Sequence, residues 1–267
     1  MPIAIQHGMS TKISQQTNGR IRATLPKATV DETGFHDLDE DDQRTEFRIL
    51  CDGNVPALEI RFGPGVSDGP ATTSPLVFAS TGQVQLEFPT FMGRAWDLDG
   101  CELAWEDGTI EIDDDSTVTI IAPIDGWEST LDVDMWTLVE NQTAKSTIQR
   151  SGEDVQNTVA MLPMAAVRKL GIERGDDTRV KPTFDCQSGR IVVVLTPTDT
   201  TRSEDSTGRS VLFAGPSNDQ PRISAAEIAV SLGVTDILER GESVPMRWVT
   251  QDGDLIGFVT SDAHAGV

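Results

Sequence analysis

The chain has 267 residues, enough for one large or two modest domains with ample core, and 43 acidic against 21 basic side chains leave it at −22. Five lysines against sixteen arginines, and no tyrosine, fit a halophile's surface held in solution by hydrated acidic side chains. No apolar run approaches the roughly eighteen residues of a membrane span and the start MPIAIQHGMSTK lacks a long apolar region, so a cytoplasmic protein without membrane contact is expected.

Near molar salt the Debye length falls to about 3 Å, so total charge alone does not exclude a polyanionic partner. Local basic clusters decide that. Cys51, Cys101 and Cys186 are widely spaced, form no CxxC pair and have no nearby histidine. Neither a zinc site nor a disulfide framework is expected, and a reducing interior is the simpler compartment. His7, His36 and His264 lie far apart, and HExxH, GxSxG, Walker and GxGxxG patterns are missing. The acidic runs Asp39–Asp42 and Asp113–Asp115 lack the ligand and glycine alternation of a calcium loop. The reading is therefore no enzyme, no metal and no cofactor.

In chain order, the first segment spans residues 12–62. GRIRATLP, from Gly19, reads as a strand closed by Leu25–Pro26, followed by a short helix and Gly34. Arg20 and Arg22 alternate onto one strand face, and Lys27 follows at the helix start. The loop His36–Gln43 leads to the strands TEFRIL and ALEIRF, joined by Cys51–Asp52–Gly53. Gly63–Pro75 is a Gly/Pro/Ser/Thr linker. The second segment, 76–122, has Phe88–Pro89 at the matching place, Asp99–Gly100 after its helix, and Asp107–Gly108 as an expected hairpin turn. Two further strand-like runs, with Trp127 and Trp136, are expected to extend this half into a first domain, 1–144.

The third segment, 146–196, is the clearest. Pro163 stands at a helix start, Met164–Leu170 form a short amphipathic helix, and Arg168 and Lys169 occupy its last turn. Gly171 supplies the left-handed stop, and Glu173–Arg174–Gly175–Asp176 turn into strands Thr178–Phe184 and Arg190–Leu195. Asp185–Gly189 is the expected turn between these strands. After the linker Thr196–Gly208, the fourth segment, 207–261, has Ile223–Ser224 in place of the apolar–Pro pair, Leu232–Gly233 after the helix, Gly241–Glu242 as its turn, and Asp252–Gly253 in its hairpin. The second domain is then 145–267. Intervals of about 137 from Pro26 to Pro163, and about 135 from Cys51 to Cys186 and from Pro89 to Ser224, point to a doubled two-segment unit. Residues 76–145 hold two basic and fifteen acidic side chains. The five tryptophans are expected in cores or interfaces.

The run from Met161 to Leu195, with its proline, arginine-bearing helix, Leu-Gly-Ile, Gly-Asp turn and hairpin, resembles the AbrB/SpoVT/MazE family of swapped-hairpin DNA-binding domains. That resemblance implies a mainly β fold with short helices (α+β), in which four βαββ modules make two pseudo-dimeric barrels. It implies contact with double-stranded DNA through Arg20, Arg22 and Lys27, the leading cluster, and through Arg168, Lys169 and Arg174. The function implied is a transcriptional regulator or chromosome-associated protein, as a monomer or homodimer. The alternative is a protein-interaction scaffold of the same fold, engaging a partner through the acidic second segment. A third reading, a sliding-clamp-like ring subunit, rests on the loosely similar ending PMRWVTQDGDLIGFVTSD.

Overall fold

A computed structural model describes residues 3–4, 10–15, 21–34, 44–63, 66, 73–75, 77–78, 84–113, 116–139, 146–150, 157–174, 179–198, 209–213 and 220–260. It is a mixed α+β fold of antiparallel sheets and short helices, in two units, Met1–Ser129 and Thr130–Val267.

The first unit runs β1 (Ile3–Ala4), β2 (Ser10–Lys12), β3 (Ser14–Gln15), β4 (Ile21–Leu25), α1 (Lys27–Thr33), β5 (Arg44–Asp52) and β6 (Val55–Phe62). It continues with β7 (Thr73–Pro75), β8 (Val77–Phe78), β9 (Val84–Phe88), α2 (Thr90–Ala95), β10 (Glu102–Ala104), β11 (Thr109–Ile112) and β12 (Val118–Asp125). In β4 the apolar Ile21, Ala23 and Leu25 alternate inward, and Pro26, which has no N–H to donate, ends the strand and begins the helix. Pro89 does the same between β9 and α2. A Cβ added at Gly93 of α2 would lie 1.9 Å from Ile21 Cδ1, so this helix rests directly on β4.

The ladders of this unit return on themselves. β4 pairs with β9 about Ala23 and Leu86, and β6 pairs with β12. The hairpin β5–β6 is joined to β9 through β7, on β5, and β8, on β9, with one residue between them. On the other side β2 pairs with β10 and β3 with β4, again one residue apart, and β10 closes onto β12. β9 begins 63 residues after β4 (84 against 21), and β12 begins 63 after β6 (118 against 55). Phe47, Leu58, Ile60, Leu86 and Phe88 fill the interior.

The second unit has β13 (Thr137–Leu138), β14 (Thr147–Arg150), β15 (Thr158–Met161), α3 (Met164–Lys169), β16 (Arg179–Gln187) and β17 (Arg190–Thr198). β18 (Arg209–Ser210), β19 (Leu212–Phe213), β20 (Pro221–Ser224), α4 (Ala226–Ser231), α5 (Thr235–Glu239), β21 (Val244–Gln251) and β22 (Asp254–Val259) follow. Its ladders close in the same order: β17, β16, β18 with β19, β20, β15, β14, β21, β22 and back to β17. The hairpin loops are two residues long, Ser188–Gly189 and Asp252–Gly253. All four residues have positive φ, as the twist of a tight hairpin demands.

Several expectations hold and others fail for identifiable reasons. The helix after Pro163 and the left-handed Gly171 (φ 71°) are present, and Trp96, Trp105 and Trp248 are fully buried, as core residues should be. Strand β16 runs on to Gln187, because Asp185 and Gln187 are buried and hydrogen-bonded to each other. Asp107–Gly108 does not turn a hairpin. Trp105 is drawn into the core and Trp105–Asp107 wind into one 3-10 turn, so β10 and β11 are two pieces lying against one strand, β12. The chain reverses instead between Asp113 and Thr117. The short helix α5 was not anticipated. The division falls at Ser129/Thr130 rather than 144/145, because residues from Thr130 onward pack on the second unit and β13 joins β21. Cys101 is a buried free thiol. Arg20, the acidic loop His36–Gln43, the turn Gly175–Asp176 and most of both linkers lie outside the described residues. Among the described residues no helix is long and apolar enough to cross a membrane.

Candidate interaction surfaces

Arg22 points outward from β4, but its charge is already met. Its Nη2 and Nε donate to Glu87 Oε2 at 2.6 and 3.0 Å, and its Nη1 to Gln85 Oε1 at 3.4 Å. Glu87 is the ladder partner of Arg22 on β9 and is buried, so the guanidinium is held as a cross-strand tie. Lys27 is exposed in the first turn of α1, where the helix dipole disfavours a cation, so helix stability does not explain it. Arg168 and Lys169 are exposed in the last turn of α3, and Arg174 is exposed just beyond Gly171. Among the described residues Lys27, Arg168 and Lys169 have no ion-pair partner. The cluster that looked stronger from sequence is thus the one whose Arg22 is consumed.

A second charged feature covers the outward face of the β5–β6 hairpin. The register opposes Glu46 to Arg61 and Arg48 to Glu59. Glu46 is buried and accepts from both arginines, Arg48 Nη2 at 3.0 Å and Arg61 Nη1 at 3.3 Å. Burial pushes the Glu59 carboxyl above its ordinary 4.5, only partly offset by Arg48 and Arg61, with Glu46 adding to the rise. A carboxyl whose folded-state pKa is raised binds its proton more tightly in the folded chain. It therefore costs stability as pH rises from 4.5 through the raised value, and that cost persists at neutral pH. Glu59→Gln is expected to be more stable than wild type at pH 7, the advantage shrinking toward pH 4. Thermal melts across that range check it, and equal melting temperatures at pH 7 would count against it.

The matching hairpin of the second unit differs. Its outward face contains Val192 and Val194, which cluster with Val249 and Ile256 under Leu131, Trp136 and Phe258. The strap carrying Leu131 and Trp136 is fastened along its length. Thr130 N donates to Asp185 Oδ2 at 3.2 Å, Asp132 N to Gln251 Oε1 at 3.1 Å and Val139 N to Trp248 O at 3.3 Å. Thr137 and Leu138 pair with Thr250 and Val249, and the Trp136 ring stacks on Phe258 at 5.9 Å and 24°. Val133, Met135 and Leu138 of the strap are 45%, 58% and 59% exposed. Nothing in the sequence singled out this strap, because an alternating apolar–acidic run reads equally well as an ordinary strand.

The chain matches no protein-family model, no curated protein and no solved structure.

Proposed function

We propose that the chain is a tandem swapped-hairpin protein that binds duplex DNA, as a transcriptional regulator or chromosome-associated factor, with the second unit making the principal contact. Each unit is read as an intramolecular pseudo-dimer of two βαββ modules. The observation that carries this reading is the reciprocal exchange of leading strands. In the first unit β2, which runs into the first segment, pairs with β10 of the second, while β7, at the end of the linker before the second segment, pairs with β5 of the first. In the second unit β14 pairs with β21 and β18 with β16 in the same manner. The equal interval of 63 residues within the first unit supports duplication.

The contact is assigned to Arg168, Lys169 and Arg174 in preference to Arg22, which Glu87 neutralises. Fluorescence anisotropy with labelled duplex DNA over a KCl series tests this. Reversal to Arg168→Glu, Lys169→Glu and Arg174→Glu together is expected to weaken binding by about 10- to 100-fold and to flatten the salt dependence, as loss of two or three phosphate contacts would. Wild-type protein that fails to bind, or a triple variant that binds equally, overturns the reading. Non-binding would favour the scaffold alternative, which draws support from the Arg22–Glu87 tie and from a first unit with 8 basic and 23 acidic residues. Light scattering that returned a trimer would favour the ring-subunit reading.

A further inference from the structure

We propose that the strap from Thr130 to Leu138 is a docking surface for a partner protein, one that presents a short segment combining apolar anchors with lysine or arginine. The proposal stands apart from DNA binding. Large apolar side chains stand exposed at six of the described positions, and three of them, Val133, Met135 and Leu138, fall within six consecutive residues. A strap needed only to cover the valine face beneath it would use Leu131 and Trp136 inward and polar residues outward. This one also leaves three large apolar side chains open to solvent.

The strap is also set in place before anything binds. Its backbone N–H groups are tied at Thr130, Asp132 and Val139, and β13 is fixed by its ladder to β21. A partner would therefore meet a formed surface and lose little affinity to ordering it. Met135, the central exposed residue, has the flexible thioether side chain that adapts to varied apolar anchors.

Charge names the partner's chemistry. Asp132 and Asp134 are exposed between the apolar residues, and Asp132 Oδ1 accepts from Asp134 N at 3.0 Å, which fixes the direction of that carboxylate. From Ala95 to Ala144 the sequence contains no lysine, arginine or histidine. Arg247 on β21 shares this sheet face, and the register places Lys181 of β16 and Arg190 of β17 on it as well, two positions from Thr183 and Val192 respectively. Along the strap itself the nearest charges are Asp132 and Asp134, so a basic segment laid between the apolar side chains gains attraction there and an acidic one meets repulsion.

The test is selection from a displayed library of random 12-residue peptides on the full chain in 0.3 M KCl, followed by anisotropy with the synthesised winner. Enriched peptides are expected to place Lys or Arg beside Leu, Ile, Phe or Met. Binding should weaken about tenfold or more in Val133→Ser/Met135→Ser/Leu138→Ser, which changes no charge, and about threefold in Asp132→Asn/Asp134→Asn, which changes no apolar surface. Independently of any variant's folding, the Met135 methyl resonance of the wild-type chain should shift when the peptide is added. No enrichment, enrichment of acidic sequences, undiminished binding to the triple serine variant, or an unmoved Met135 resonance would overturn the proposal.

Discussion

Trp248→Ala is expected to cost the second unit about 3–5 kcal/mol, the range for removing a fully enclosed large aromatic side chain. Trp248 is fully buried on β21, and its ladder partner on β22 is Gly257. The fit between the two is close. A Cβ at 257 would lie 2.3 Å from Trp248 Cζ3 and 2.7 Å from both Cε3 and Cη2, so the indole occupies the space a side chain would need. Gly257→Ala should then cost about 1–3 kcal/mol by overpacking. In the Trp248→Ala background the same change should cost much less, because the clash has gone. Urea unfolding of the four proteins in that cycle measures the coupling. If Gly257→Ala proves neutral with Trp248 present, the packing argument fails.

Phe47→Ala should have an effect of similar size on the first unit, about 3–5 kcal/mol. Phe47 lies on β5 and Phe88 on β9, both are buried, and their rings are 5.2 Å apart at 37°. The contact joins the hairpin of one segment to strand β9 of the other. A double-mutant cycle with Phe88→Ala should show a coupling of about 0.5–1.5 kcal/mol beyond the separate losses. Additive losses would mean that the two segments do not share this part of the core. Because the chain has two units, the melt should be followed by a probe assigned to the first, such as Phe47-proximal methyl resonances, rather than by a global signal.

What was legible from sequence was local chemistry. Pro163, Gly171, Asp252–Gly253 and the alternation in Ile21–Leu25 each act within a few residues, and each is found where those rules place it. What was not legible depends on residues far apart in the chain. Arg22 loses its availability to Glu87, 65 positions away, and no property of GRIRATLP announces that. Trp105 interrupts a strand because it is drawn into a core built from the whole unit. Residues Thr130–Leu138 belong to the second unit because Asp185, Trp248 and Gln251 hold them there, all more than fifty residues later. For the candidate surfaces, therefore, sequence nominated the charged side chains, and only geometry separated the paired from the exposed.

The closed order of ladders has a consequence for biosynthesis. Neither half of a unit can complete its own hydrogen bonding. β4 waits for β9, and β6 waits for β12, each arriving 63 residues later. At ribosomal speeds of about 5–20 residues per second, the nascent first unit therefore spends several seconds with apolar strands exposed and unpaired. Pairings so distant in sequence are also slow to form once available. Completing the ladders trades this vulnerable interval for sheets whose main strands have neighbours on both sides, leaving few places for another chain to add a strand.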